Sequence, residues 1–375
     1  MTRRVVAWGA YDDGKPRVRL LLDALRRADA LEAEIHVPAW SGVEDKSVAG
    51  KAALLRSALR WLAGMPRALW RLARLPGDAA VLLPYPGTPD LFLAAPLARL
   101  RGRKLVLDAF LPIHDTVVRD RALVRDGGLA AKALRLIERA GLRLADVVLT
   151  DTDAQAAFLA REYGLPKDRF TTVLVGAEPQ FDEAERGEVN DLLGPFAAKR
   201  KVLFYGQFIP LHGLATILEA ARLTQDEDFG WIVVGSGQQD DVMQRFLAEG
   251  GSDNVHWLRW VDYARLPALI AACDLGLGIF GGSDKAARVI PNKLFQQLAM
   301  GKRVVTRASP AVDRLAREFG QTIVTVPPED PQALAAAVRE AMVSEKGDCG
   351  LPTTPRRELS PDAGVARLIA RLGDG

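Results

Sequence analysis

The chain has 375 residues, 49% of them hydrophobic and 26% charged, which suits about two globular domains and excludes disorder from lack of apolar residues. Its two cysteines, Cys273 and Cys349, allow one disulfide at most and no cysteine-rich zinc centre, so the reducing cytoplasm is the simplest compartment. Formal charge is only +3, too balanced to point to nucleic acid, yet residues 1–180 hold 28 Lys+Arg against 21 Asp+Glu and the remainder is net −4.

The amino terminus, Met1-Thr2-Arg3-Arg4, leads straight into Val5–Gly9, a short apolar run ended by glycine rather than the longer core of a signal peptide. Further strand-length apolar runs follow at Ala33–Val37, Ala79–Pro84, Lys104–Phe110, Asp146–Thr150 and Thr171–Val175. The pattern restarts near residue 200 with Val202–Tyr205, Trp231–Gly235, Val255–Trp260, Leu275–Phe280, Arg303–Thr306 and Thr322–Val326. Continuous apolar strands separated by amphipathic stretches predict parallel sheets covered by helices on both faces. The polar, acidic segment 178–188 reads as a linker. The expected architecture is therefore α/β: two Rossmann-like, doubly wound parallel-sheet domains facing each other, at 1–180 and 190–360. Residues 361–375 are expected to form a C-terminal helix that packs back on the first domain. The most apolar stretch, Ala79–Ala98, is interrupted by Pro84, Pro86, Pro89, Asp90 and Pro96, so no stretch is expected to span a membrane.

Between the second and third strands, Lys51–Leu75 carries Lys51, Arg56, Arg60, Arg67, Arg71 and Arg74, no acid, and Trp61 and Trp70. Two readings stand: a basic amphipathic stretch that lies on anionic lipid, or a helix pair broken at Gly64-Met65-Pro66 with an arginine-rich solvent face.

Ligands in doubly wound sheets bind beyond the carboxyl ends of the strands, so the residues after each strand carry the functional reading. Gly9-Ala10-Tyr11 opens a glycine-bearing loop, but G-x-G-x-x-G is absent, which disfavours a dinucleotide-dependent dehydrogenase. Asp108 to Arg121 packs six ionisable groups at one strand mouth. Among them Asp108 sits in an apolar run and needs a partner or a task, whereas Asp115 or Thr116 reads as a cap and Asp120 and Arg121 as surface ion pairs. Asp151-Thr152-Asp153 has the spacing of a D-x-D metal site, and a helix cap accounts for it. Tyr205 to Gly213 places His212 just before a helix starting near Gly213. Gly235 and Gly237 allow close backbone approach. Gly281 to Lys302 joins a glycine-rich loop with Lys285 and Arg288 to a helix running from Pro291 or Asn292 to Gly301. Cations and helix N–H groups gathered beyond a strand end suit a pyrophosphate, although an ordinary loop with solvated cations is the alternative.

Tyr205–Gly213, Val233–Gly237 and Pro291–Lys302 resemble the carboxyl-terminal half of retaining glycosyltransferases of the GT-B fold, family 4. Pro84-Tyr85-Pro86-Gly87, Asp108–Arg121 and Ala145–Asp151 resemble that family's amino-terminal domain. The resemblance implies a nucleotide-sugar bound mainly by the second domain and an acceptor bound by the first. Chemistry would take place in a central cleft, with no metal and no cofactor beyond the sugar donor. The family's basic pair falls on Gln207 and His212, and its two glutamates fall on Arg288 and Gln296. In this reading Asp108, His114 and His212 are the catalytic candidates. Gln207, Arg288, Asn292, Lys293 and Gln296 hold the donor's phosphates and ribose. Gly235 and Gly237 admit the nucleotide, Trp260 or Val261 lies near the base, and Gly9 and Tyr11 close over the sugar. Tyr85, Gly87, Asp115 and Arg119 meet the acceptor, a lipid-linked or cell-envelope glycan in the membrane reading. The protein is thus expected to be a cytoplasmic enzyme, peripheral on the membrane in that reading. A nucleotide-sugar-binding subunit without transferase activity is the second reading. An epimerase would need carboxylates that Gln207–His212 and Arg288–Gln296 do not supply.

Overall fold

A computed structural model describes residues 4–42, 51–120, 123–181, 188–343 and 359–373. Most of the expected linker, Cys349 and Arg121 lie outside them, as does the side chain of Asp120. The chain forms two units, Met1–Val175 with Ser360–Gly375, and Gly176–Leu359.

In the first unit β1 (Val5–Gly9), β2 (Leu31–His36), β3 (Ala80–Leu83), β4 (Leu105–Asp108), β5 (Val147–Thr150) and β6 (Phe170–Thr172) form one parallel sheet in the order β2-β1-β3-β4-β5-β6. Alternation sorts the side chains. Val6 and Trp8 pack under α2 (Lys51–Arg74), α3 (Thr88–Leu100) and the helices at 129–144 and 153–163. Val5 and Ala7 pack under the helix at 16–27 and the C-terminal helix Asp362–Gly373, which also anchors through Arg371 to the carbonyl of Phe170. Both faces are thus covered over the central strands β1, β3, β4 and β5, which is why these are almost wholly apolar, while the edge strand β2 carries Glu32 and Glu34.

The proline expected to break α2 does not. Pro66 lies inside one 24-residue helix. The carbonyl that loses its donor belongs to Leu62, a residue 59% exposed, so the proline interrupts the ladder on the solvent side of the helix.

The second unit repeats the plan with β7 (Arg200–Tyr205), β8 (Phe229–Val234), β9 (Val255–Leu258), β10 (Leu275–Leu277), β11 (Arg303–Arg307) and β12 (Ile323–Val326), ordered β12-β11-β10-β7-β8-β9 and all parallel. The helix following β7 spans Leu214–Leu223, and the one following β10 spans Asn292–Ala299. The latter lies close on β10 because Gly276 has no side chain: a Cβ there would stand 1.4 Å from Gln297 Oε1. Among the described residues no helix is long and apolar enough to cross a membrane.

Gln297 is fully buried and its amide donates to the carbonyl of Leu277, so it has little room to yield. Gly276→Ala is expected to cost about 1–3 kcal/mol through overpacking, read as a lower denaturation midpoint with an unchanged m-value.

Candidate functional site

In the first unit the strand order reverses between β1 and β3, and the loops after these strands are fastened together. Asp90, buried in the first turn of α3, accepts the amide of Ala10 at 2.5 Å and the Trp61 indole at 2.6 Å. Gly9 and Ala10 are therefore held from beneath. Tyr11 is turned inward: its ring stacks on His36 at 4.1 Å and its hydroxyl donates to Glu34 at 3.2 Å. The expectation that Tyr11 covers a sugar is corrected accordingly, because its ring and hydroxyl are both used within the fold.

Asp108 has the partner its burial demands. Arg17 Nη2 donates to Asp108 Oδ1 at 2.9 Å, both side chains being essentially inaccessible, and the same guanidinium donates to the carbonyl of Val173. Asp108 is a structural anchor at the end of β4, not the unpaired acid the sequence suggested. Asp151 is buried nearby, and burial pushes its carboxyl up to about 7, against the pull of Arg17. Thr152 caps the following helix by accepting the amide of Gln155 at 3.0 Å, and Asp153 accepts the Thr172 hydroxyl at 2.5 Å. All three positions of the D-x-D spacing thus have local structural surroundings, and the cap expected there is Thr152.

His114 is buried, and desolvation followed by Arg119 and Arg135 lowers its pKa, which favours the neutral ring. Its loop is held by Glu138, which the sequence reading did not single out. Glu138 accepts the amide of Ile113 and the hydroxyl of Tyr163, each at 2.5 Å, and burial raises its carboxyl to about 7. The available signal was a lone acid in the basic helix Leu129–Leu144. Tyr85, Thr88, Asp108, Pro112 and Glu138 line one pocket beyond β3 and β4. Gly87, the residue before α3, and the turn Asp115–Asp120 lie outside that lining. Arg119 is shared between Glu162 at 3.1 Å and Asp115 at 3.9 Å and stands over Phe158.

In the second unit the order reverses between β7 and β10. The turn Pro210–His212 is fastened to the end of β10, with Phe280 and Gly281 amides donating to the carbonyls of His212 and Leu211 at 3.1 and 3.2 Å. His212 Nδ1 lies 2.5 Å from the carbonyl of Gln207, and its ring packs edge-on against Phe204. From the opposite side comes Lys293, in the first turn of its helix. It is 5% exposed, its Nζ stands 4.0 Å over the Phe204 ring, and that amine has no hydrogen-bond partner among the described residues. Burial holds it well below the ordinary lysine range. Gly206, with φ +142°, marks where the two meet: a Cβ there would be 3.0 Å from both Lys293 Nζ and His212 Cε1. Arg288 and Asn292 are half-buried beside this point in sequence, and Lys285 is buried.

Gln296 is also buried, but its amide is occupied by protein. Its oxygen accepts the Tyr205 hydroxyl at 2.9 Å, and its nitrogen donates to the Tyr263 hydroxyl at 2.9 Å and to Glu178 at 3.3 Å. Tyr263 in turn donates to Glu178 at 2.8 Å. Glu178, assigned to the linker by the sequence reading, is thus a buried carboxylate at the strand-end edge. Gly235 and Gly237 pack against the loop after β7, where the Phe208 amide donates to the Ser236 carbonyl at 3.0 Å. Trp260 is 75% exposed and Val261 half-buried in the loop after β9. The structure brings together Gln207, His212 and Lys293, with Gln296 and Glu178 a turn away.

Breaking the Arg17–Asp108 pair by Asp108→Asn is expected to cost about 3 kcal/mol in chemical denaturation, since the buried guanidinium loses its directly bonded carboxylate and keeps only Asp151 nearby as a group able to ionise. Glu138 gives a signed pH dependence. Its folded pKa of about 7 exceeds the unfolded 4.5, so its stabilising contribution is complete below pH 4.5 and disappears as pH rises through about 7. Glu138→Gln should flatten that part of the stability–pH curve, leaving the share due to Asp151.

Residues 199–343 match the family model described as glycosyl transferases group 1, and residues 14–176 match that of the glycosyl transferase 4-like domain. Over 295 residues the chain is 26% identical to the Escherichia coli (strain K12) protein named "Putative colanic acid biosynthesis glycosyl transferase WcaI", covering 75% of this chain and 69% of that protein. Among solved structures, Anabaena Alr3699/HepE in complex with UDP superposes with TM-score 0.68 at 13% identity, covering 98% of this chain and all of that one. Sucrose-phosphate synthase from Thermosynechococcus elongatus gives TM-score 0.67 at 16% identity, with 99% of each chain covered. At such identities the structures speak for the fold, and the two family models account for the sequence of each unit. The chain belongs to the group 1 glycosyltransferases and has their GT-B fold.

Proposed function

We propose that the protein transfers a hexose from a nucleoside diphosphate sugar to a glycan hydroxyl with retention of configuration, without a resident metal. The observation that carries this reading is the Lys293 amine, buried without a hydrogen-bond partner between the turn at His212 and the start of its own helix. A buried cationic group without a counter-charge is costly, and a diphosphate supplies both the charge and the acceptors. The helices Leu214–Leu223 and Asn292–Ala299 both begin at this edge, so their free N–H groups add partial positive charge. Lys293, His212 and Arg288 then stabilise charge developing on the leaving diphosphate while the acceptor oxygen attacks from the face it departs. Glu178, held by Gln296 and Tyr263, is the carboxylate placed to accept a ribose hydroxyl. Trp260 and Val261 flank the base.

The acceptor side is proposed to be the first unit, around the pocket of Tyr85, Asp108 and Glu138, with a glycan carried at a membrane. The relative named for colanic acid biosynthesis supports a glycan acceptor. The first half of α2 supports the membrane: Leu55, Leu59 and Leu62 form an exposed apolar row, flanked by exposed Arg56 and Arg60, and the helix has no acid. Cations beside exposed leucines complement an anionic lipid surface.

Structures of Anabaena HepE contain UDP or UDP-glucose, so uridine diphosphate sugars are the first donors to test. Lys293→Met should weaken UDP binding by at least about tenfold, the worth of one charge-assisted contact. Unchanged affinity by calorimetry would remove Lys293 from the site. Donor binding with neither transfer nor hydrolysis would favour the binding-subunit reading instead. In vesicle flotation the protein should bind anionic but not zwitterionic membranes, and Leu59→Ser with Leu62→Ser should abolish binding. Absence of the wild-type protein from anionic vesicles at moderate salt would remove the membrane from the proposal.

A further inference from the structure

We infer that binding of the nucleoside diphosphate takes up a proton at Nζ of Lys293. The inference rests on the donor-site reading and adds to it a coupling between donor affinity and pH.

From β7, Phe204 offers a ring face at 4.0 Å, and Tyr205 is turned so that its hydroxyl reaches the backbone carbonyl of Lys293 and the amide of Gln296. The turn Pro210–His212 presents the imidazole of His212, whose Nδ1 is already at the Gln207 carbonyl. The glycine-rich loop before the helix carries Lys285 and Arg288 together with an exposed acid, Asp284, and Glu329 accepts the amide of Gly282 at 3.0 Å. Glu178 is a buried acid on this side, and its carboxylate accepts the amide of Gln296 rather than the amine. No carboxylate is hydrogen-bonded to the amine among the described residues. The ring face is a weak substitute for a counter-ion, and the N-terminal end of a helix repels a cation.

Desolvation therefore favours the neutral amine in the free protein, and the helix end acts in the same direction. Burial alone holds Lys293 well below the ordinary lysine value. A diphosphate reverses the balance, because it brings two or more negative charges and several acceptor oxygens to the same point. The ammonium then becomes the favoured form, and its proton comes from solvent. No bond other than N–H is made, and the nucleotide is unchanged.

Linkage gives the sign. Affinity is greatest below the depressed pKa of the free amine and falls as pH rises from there toward the higher pKa of the paired ammonium. Within that window the dissociation constant should rise by up to about tenfold per pH unit. Above about pH 7 the nucleotide's own phosphates are ionised, so they do not supply the slope.

The experiment is calorimetric titration of the full-length protein with UDP at about pH 8, in buffers of small and large ionisation enthalpy. Wild type should take up close to one proton per UDP. Lys293→Arg carries a guanidinium that stays protonated, so it should bind UDP more tightly than Lys293→Met and with uptake abolished. His212→Asn should bind more weakly but keep the uptake. Thermal melts of each variant establish folding, and the pH dependence of wild-type affinity provides a measurement that needs no variant. Tight binding with no dependence on buffer or pH would overturn the inference while leaving the donor site intact. Uptake that persists in Lys293→Arg and vanishes in His212→Asn would assign the proton to the imidazole and overturn it equally. Failure of UDP and GDP alike to bind would instead overturn the donor-site reading on which it rests.

Discussion

Both sheets are wholly parallel, and the placement of chemistry in this molecule follows from that constraint. A helix joining two parallel strands must return against their direction, so its N-terminus is delivered to the edge where the strands end. Polar backbone groups of one sign therefore collect at one edge of each unit before any side chain is considered. In the second unit the strand order turns over between β7 and β10, and the helices that follow these two strands begin beside each other's loops. The hydrogen bonds from Phe280 and Gly281 to the turn at His212 hold the two loops in register. Lys293 and His212 can then crowd a single glycine.

The central strands were legible in the sequence because burial on both faces leaves them almost wholly apolar, whereas the edge strands β2 and β9, half-buried and carrying Glu32, Glu34 and His256, showed only a short apolar run. Strand ends were less legible. Residues 279 and 280 look like a continuation of β10, but Phe280 has already turned to hydrogen-bond the carbonyl of His212. The positions after the strands were legible as a site; the destinations of their side chains were not. Tyr11 has the composition of a ligand-facing aromatic, and only the placement of His36 and Glu34 on β2 shows that it faces inward. Glu178 was invisible for the same reason on a larger scale, since its partners lie 85 and 118 residues away. Lys293 could be read as facing either inward or outward, because one turn of helix allows both until the opposing loop is in place.

The first unit shows how this chain treats ionisable groups it chooses to bury. Asp90 receives two N–H donors, Asp108 receives a guanidinium, and Glu138 and Asp151 are moved toward the protonated form. Each is satisfied from within the fold or made neutral. These are the alternatives that physical chemistry permits, because a naked charge in a poorly solvated site costs several kcal/mol. Burial pushes Lys293 in the same direction, toward its neutral form, and its location at the mouth of a parallel sheet distinguishes it from the others. A neutral carboxyl under a loop is finished structure; a neutral amine at a ligand edge is a group whose state depends on what arrives.

Net charge misleads at this point. The half of the chain proposed to bind the diphosphate is the acidic one, by 22 basic against 26 acidic residues beyond position 180. Surface charges are screened within about 8 Å at physiological salt, whereas desolvated groups interact at a much lower effective dielectric. A few buried donors can therefore outweigh an unfavourable total. There is a consequence for selectivity. A permanently charged pocket attracts any anion, but an amine that must be protonated to bind gains little from a weak or singly charged one. If the proposed site holds a diphosphate, the charge concentrated between two helix ends repays the cost of that protonation, and selectivity follows from the same coupling.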